Sequence, residues 1–362
     1  MLQALRNWGD TLLGRGSAAI TVPVMDGSLK PNRVLDEATV VATHSGLDDL
    51  AGNGGILFAS AGPLLLRLAG QELIEVRRFD ADISALALSP NGRLAVALDG
   101  RRVLVMGSVD GAEVARLESP ASQPLVAANA LAFDGEDQLL LTDGSAQHGP
   151  AQWCHDLMAL GRSGRVLRWH VASGRVDVIA ADLQFAFGVL PVPGGALFSE
   201  SWRHRVMLAN APSGTRGLLA ELPGYPSRMA AASGGGFWLS CFVCRTQLVE
   251  FVLREPAYRT RMVAEIDPRY WIAPALSSGN SFLEPLQGAG VKQMGVLKPW
   301  APPRSYGLVL KVAADGRIVE SMHSQVDGKH HGITAIAEHD GALVATSKGS
   351  GRLLRVELGA RA

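Results

Sequence analysis

Six residues stand at the same place in a repeated phrase. Asp48, Ser84, Asn129, Phe187, Ser227 and Thr334 each lie at or near the start of an apolar run that leads into a glycine-centred turn and a second apolar run. Placed equivalently around one opening, they would present a carboxylate, three hydroxyls, an amide and a ring. Such a set suits a small organic molecule better than a hard cation, which takes six or more oxygen ligands. His330 and His331 come just before Thr334. Imidazole titrates near neutral pH, so either can serve as a general base; the alternative is a pair of solvated loop histidines after Gly328-Lys329. Asp48 is the other candidate for activating water. The catalytic candidates are therefore Asp48, His330 and His331. Arg228 carries a guanidinium that can clamp a ligand carboxylate bidentately or form an internal ion pair. With Asn129, Phe187, Trp202, His204, Tyr225, Ser227 and Thr334 it makes the expected substrate-binding wall.

Other chemistries lack their context. Ser145 is in no G-x-S-x-G elbow, and His148, His155 and Asp156 show no zinc-protease spacing. Cys241 and Cys244 form a C-x-x-C without a second pair or a surrounding βαβ pattern, so ordinary thiols on or after a strand outweigh a redox or zinc role.

The elements that must position these residues are β-hairpins. The units are DDLAGNGGILFAS, SALALSPNGRLAVA, NALAFDGEDQLLLT, FGVLPVPGGALFSE, SRMAAASGGGFWLS and TAIAEHDGALVATS. P-N-G, G-G and H-D-G supply the positive φ that tight turns need. Several units are followed by two more strands, as in RRVLVMGSVDG with AEVARLES. Four-stranded units repeated about every 40 to 45 residues predict a β-propeller, here all-β and six-bladed. The last unit lacks a fourth strand, which NRVLDEATVV near the N-terminus can supply, closing the ring and removing a sheet edge. A Pro-, Tyr- and Trp-rich stretch at about 253–303, helical over Leu253 to Ile266, reads as an insertion in the fifth unit, either a lid or a surface for a second subunit. Residues 1–30 are expected to be an N-terminal extension and 31–362 a single propeller domain.

The order and spacing of NALAFDGEDQLLLTDGS, CHDLMALGRSGRVLRWHVASG, LQFAFGVLPVPGGALFSESWRHRV, ELPGYPSRMAAASGGGFWLS and EHDGALVATSKGSGRL resembles the strictosidine synthase-like family, from about Pro31 to Leu358. That family includes the adipocyte plasma membrane-associated type of arylesterase and is related to gluconolactonases, regucalcin, paraoxonases and diisopropylfluorophosphatases. The resemblance implies a six-bladed propeller and, in the hydrolytic relatives, a Ca²⁺ ion held by a Glu, two Asn and an Asp. Asp48 stands at the Glu position and Asn129 at the first Asn. Phe187 replaces the second Asn, and Ser227, followed by Arg228, replaces the Asp of Y-P-D-N. Metal donors reduce to Asp48 and Asn129, so a Ca²⁺ site would be weak at best. Arg228 could fill the vacated cation space and pair with Asp48. The glutamate that strictosidine synthases use for condensation aligns with Thr334, so that reaction gains no support.

Composition sets outer bounds. The 362 residues carry 34 basic and 34 acidic side chains, a net charge of zero, without a basic stripe; a nucleic-acid partner is not expected. No apolar run reaches the ~18–20 residues of a membrane span, and MLQALRNWGDTLLGRG reads as neither signal peptide nor anchor. Three cysteines fit a reducing compartment, so a cytoplasmic location is expected. The chain is thus expected to act on a small molecule at the channel mouth, as an ester or lactone hydrolase with a degraded calcium site. A non-catalytic binder and a synthase of another substrate pair stay open.

Overall fold

The computed structural model describes residues 22–359 except 54, 211–213, 282, 286–291, 294–295 and 298–303. It contains six four-stranded antiparallel sheets. Blades 1 to 4 run through Leu47–Arg78, Ile83–Leu117, Ala128–Leu183 and Ala186–Leu219. Blade 5 pairs Gly224–Ala231 and Phe237–Cys244 with Gly307–Val312 and Ile318–Ser324. Blade 6 takes three strands from the C-terminal region, and Thr39–Thr43 pairs with Arg352–Glu357 as its outermost strand. The ring closes between the two ends of the chain, as the sequence predicts. In the last hairpin Asp340 has φ 47° and Gly341 φ 72°, the two positive values that a type I′ turn requires.

Each blade buries both faces, so its inner strands read as near-continuous aliphatic runs. One apolar cluster fills each of the six inter-blade interfaces. Trp169 and Trp238, both almost fully buried, anchor two of them. Of the expected extension, residues 1–21 lie outside the described residues. Met25 and Leu29 pack against the blade 4–5 cluster, and Ser321 donates a 2.6 Å hydrogen bond to the Ser28 carbonyl.

The insertion in blade 5 starts earlier than the sequence predicts. The strand Phe237–Cys244 gives way at once to helices Gln247–Arg254 and Pro256–Glu265. Thr246 caps the first helix, its Oγ1 accepting from Val249 N at 3.2 Å, which satisfies one of the open amides of the first turn. FWLSCFVC and LVEFVLR are both short apolar runs, and periodicity alone cannot separate strand from helix over that length. The helices cover the face where the inner strands begin. There they meet the helix Trp153–Ala159, inserted between the second and third strands of blade 3.

A buried histidine on the outer strand of blade 5 gives one prediction. The Ser28 carbonyl can only accept, so Ser321 donates to it and accepts from His323 Nε2 at 2.9 Å, leaving Nδ1 to accept from Tyr306 Oη at 3.0 Å. Burial pushes the His323 imidazole down to about 4. An unfolded histidine titrates near 6.5, so the stability from keeping His323 neutral is present above pH 6.5 and lost as pH falls toward 4. At about 1.4 kcal/mol per unit this is about 3 kcal/mol. Urea unfolding of wild type and His323→Asn should therefore show a stability gap about 3 kcal/mol smaller at pH 4 than at pH 7. A gap that does not change with pH would contradict the assignment.

Candidate functional site

The six positions singled out in the sequence coincide with six breaks in strand register. At the start of every inner strand the pairing slips, between Leu47 and Leu50, Ile83 and Ala85, Ala128 and Ala130, Ala186 and Val189, Pro226 and Met229, and Ile333 and Ala335. A bulge leaves its extra residue out of the ladder and re-aims it. Four of the six blades use theirs to turn a backbone carbonyl toward the propeller axis, from Asp48, Ser84, Asn129 and Thr334.

Arg228 meets those carbonyls. Its Nη2 donates to Ser84 O at 2.6 Å, its Nε to Asn129 O at 3.1 Å, and its Nη1 to Asp48 O at 3.2 Å and Thr334 O at 3.3 Å. The same guanidinium pairs with Asp48 Oδ1 at 3.2 Å and Asp49 Oδ1 at 3.1 Å. Its Cζ stands 5.2 Å over the ring of Phe187, a geometry that favours a cation. Arg228 belongs to blade 5 and touches blades 1, 2, 3, 4 and 6. It is 6% exposed.

The charges around it balance. Lys348 Nζ binds the second oxygen of Asp48 at 2.8 Å, so two cations face two carboxylates. Burial by itself would raise the Asp48 carboxyl, yet Lys348 and Arg228 outweigh it and hold the group below its usual range. Asp49 accepts from the Leu86 amide at 2.7 Å and the Leu50 amide at 2.8 Å. Burial nevertheless raises it to about 6, with Arg228 opposing and Asp48 adding to the rise.

A second series of polar groups backs the ring. Ser60, Thr142, Ser199 and Thr346 lie next to last in the second strands of blades 1, 3, 4 and 6, Ser240 lies midway along that of blade 5, and each hydroxyl reaches the bulge of its own blade. Thr142 also donates to Phe187 O at 2.5 Å and Ser199 to Ser227 O at 2.8 Å, tying one blade to the next. In blade 2 the place is held by Ala97, whose carbonyl lies 3.4 Å from Ser84 Oγ.

The other expected site residues divide into two groups. Phe187, Trp202 and Tyr225 join Phe185, Phe242 and Trp271 in one buried aromatic cluster beneath the insertion, and Trp202 Nε1 donates to Asp156 Oδ1 at 2.7 Å. His204 packs its ring 4.7 Å from Tyr225. Its Nε2 is 3.6 Å from Glu250 Oε1, beyond hydrogen-bond reach, and burial then Arg245 push it well below its usual value. Among the described residues neither His204 Nε2 nor the Tyr225 hydroxyl has a hydrogen-bond partner. Asn129 and Ser227 are buried and turned to protein partners, Ala186 O for the one and Ser240 for the other. Thr334 donates to Asp48 O at 2.6 Å.

His330 and His331 are buried, not solvated. His331 Nε2 lies 2.7 Å from Gln325 O and Nδ1 2.7 Å from Ser305 Oγ. Burial pushes its pKa down, against the raising effects of the Gln325 carbonyl, Asp36 and Asp327. His330 is lowered by burial, then by Arg352, and its Nδ1 has no partner among the described residues. Cys241 and Cys244 are free, buried thiols on the blade 5 strand, with pKa values raised by burial.

The residues present do not fit the calcium ion of the hydrolytic relatives. The four axial carbonyls already receive N–H donors, both oxygens of Asp48 are paired with cations, and a fixed positive charge stands where a dication would need six to eight oxygens. Among the described residues no three His, Cys, Asp or Glu side chains converge as a metal site.

Fold and axis together define a six-bladed β-propeller whose central polar site is filled by an internal cation. Its homologues are proteins named adipocyte plasma membrane-associated protein and strictosidine synthase-like, and its structural neighbours are gluconolactonase and regucalcin propellers. The adipocyte plasma membrane-associated protein of Salmo salar is 23% identical over 376 residues, covering 93% of this chain and 82% of its own. A strictosidine synthase-like protein of Arabidopsis thaliana is 28% identical over 144 residues, 38% of each chain. Among solved structures, a gluconolactonase from Xanthomonas campestris superposes with a TM-score of 0.57 at 14% identity, covering 88% of both chains. A calcium-binding regucalcin from Agrobacterium tumefaciens gives 0.52 at 10%, covering 88% of this chain and 92% of its own. No family model matches the chain. No helix among the described residues is long and apolar enough to cross a membrane.

Proposed function

We propose that this protein is a hydrolase of small esters or lactones that works without a metal, with His331 as its general base. The observation that carries the reading is the setting of His331. The Gln325 carbonyl can only accept a hydrogen bond, so Nε2 holds the proton and Nδ1 offers a bare lone pair toward Ser305. That is the state a general base needs, and burial keeps it available at neutral pH. A structural neighbour bears the name gluconolactonase, which supports the substrate class.

Arg228 takes the structural part of this scheme. Its N–H groups are engaged by backbone and by Asp48 and Asp49, so it supports the ring from which Asp48 and Thr334 project. Asp48 and Lys348, the latter about one-third exposed, form the polar edge of that ring. Turnover of phenyl acetate and of δ-valerolactone, measured with and without chelator, tests the reading. The expected result is hydrolysis that chelator leaves unchanged; no turnover of either compound would overturn it.

A second reading, binding without turnover, is favoured by a groove of about 460 Å³ between the two insertions. It is lined by His148, His155, Met158, Arg259, Thr260 and Val263 among others. Its mixture of imidazole, guanidinium and apolar surface fits a small anionic amphiphile. Thermal stabilisation by such ligands without product would favour it.

A further inference from the structure

We propose that Ser278 is the nucleophile of this enzyme, activated through a one-way hydroxyl relay, Ser278 to Ser305 to His331; this rests on the hydrolase reading above. The direction follows from what each atom can do. Gln325 O accepts only, so His331 Nε2 donates to it. His331 Nδ1 then has no proton, and Ser305 must donate to it at 2.7 Å. The Ser305 oxygen is left to accept, and the Ser278 hydroxyl lies 2.6 Å from it. Every link therefore points inward, from Ser278 to the imidazole.

The relay also runs from water to dry interior. Ser278 is exposed, whereas Ser305 is 1% and His331 7% exposed. Tyr306 lies nearly parallel to the imidazole, with ring centroids 6.5 Å apart and planes at 14°. A proton acceptor kept out of water and coupled to a surface hydroxyl is the arrangement that activates a serine at neutral pH.

The loop that carries Ser278 is held from both sides. Just before it, the Leu276 carbonyl sits on blade 6 at Gly349, where a Cβ would come within 2.0 Å of that oxygen. Ala275 N donates to Arg304 O at 2.9 Å, joining this arm of the insertion to the arm that bears Ser305. Just after it, Glu284 accepts from the amides of Gly279 and Asn280, each at 2.9 Å, and pairs with Arg304 at 3.3 Å. Nothing in the axial ring of Arg228 takes part in this assembly.

The chemistry balances as an acyl transfer. Ser278 Oγ bonds the acyl carbon and the carbon–oxygen bond to the leaving alcohol breaks. The Ser278 proton passes to Ser305, whose own proton passes to His331 Nδ1. The imidazolium returns a proton by the same path to the leaving alkoxide, and water repeats the sequence to release the acid and restore Ser278. An ester frees its alcohol, whereas a lactone keeps it tethered as a hydroxy acid.

The test is labelling of the full chain with a fluorophosphonate, which bonds phosphorus to an activated serine oxygen and expels fluoride. Peptide mass spectrometry locates the label, and phenyl acetate turnover is followed on the same samples. The label should fall on Ser278 and be lost in Ser278→Ala. In Ser305→Ala, which leaves Ser278 in place, labelling should slow roughly 100-fold or more, the scale of losing general-base assistance. Phenyl acetate turnover should fall in step in both variants. Label on Ser278 without any ester turnover upholds the relay and removes the hydrolase reading. Turnover that persists in Ser278→Ala removes the relay and leaves the hydrolase reading standing. Absence of label on Ser278 in the wild type, or undiminished labelling in Ser305→Ala, overturns the relay.

Discussion

Replacing Arg228 by alanine should lower the unfolding free energy by about 3–5 kcal/mol, the scale of removing one partner from a buried ion pair. Two carboxylates, Asp48 and Asp49, lose a cation, and four axial carbonyls each lose a guanidinium hydrogen bond, with hydroxyl donors remaining on Asp48 O and Thr334 O. Lys348 still neutralises Asp48, so the greater harm falls on Asp49, whose carboxyl burial has already raised. Arg228→Lys keeps the charge but not the planar fork that reaches several acceptors at once, so it should be destabilised less than the alanine variant and more than wild type. At roughly 2–4 °C per kcal/mol the alanine substitution amounts to a fall of about 10 °C in melting temperature. Calorimetric and urea unfolding of the three proteins measure it. Wild-type stability in Arg228→Ala would mean that the axial hydrogen bonds do not hold the blades together.

Replacing His331 by glutamine should reduce ester turnover by a factor of about 10² to 10⁴ while leaving the fold intact. Glutamine can still donate to Gln325 O and accept from Ser305, so the hydrogen bonds that position the loop are kept and only the basic nitrogen is lost. The pH profile gives an independent check. Since burial lowers the His331 pKa, the active neutral form predominates from below pH 6.5 upward. Wild-type kcat/KM should therefore rise through an ionisation below 6.5 and be flat across neutral pH. An ionisation above 6.5 would indicate a different base.

The repeated hairpins were legible in the sequence because each carries its own turn chemistry and its own buried run. The closing strand could be placed because one blade was a strand short. Asp48, Ser84, Asn129, Phe187, Ser227 and Thr334 could be named as one set because the repeat aligns them, and the register breaks occur at those places. The neighbour Asp49 was missed for a physical reason. Strict alternation sends adjacent residues to opposite faces, whereas a bulge brings both Asp48 and Asp49 against Arg228.

Lys348 lies in a loop and meets Asp48 only through closure of the ring, 300 residues away in sequence. The hydroxyls of Ser60, Thr142, Ser199, Ser240 and Thr346 did leave a signal, a small polar residue in the second apolar run of every unit but the second, where Ala97 stands. Ser278 and Ser305 could not be found that way. They belong to the insertion, outside the repeat, and their meeting with His331 depends on how that segment packs on blade 6. The first helix begins before the bounds read for that segment, because LVEFVLR follows the strand FWLSCFVC after only three polar residues and short apolar runs do not distinguish helix from strand.

Arg228 fills the axial position that a calcium ion would take. Calorimetric titration of the full chain with Ca²⁺, with melting curves in calcium and in chelator, tests it most directly. The expected result is no binding isotherm up to millimolar Ca²⁺ and melting temperatures that do not change, since a ligand bound only to the folded state would raise them. Stoichiometric binding with a micromolar or tighter Kd, together with a chelator-sensitive melting temperature, would contradict it.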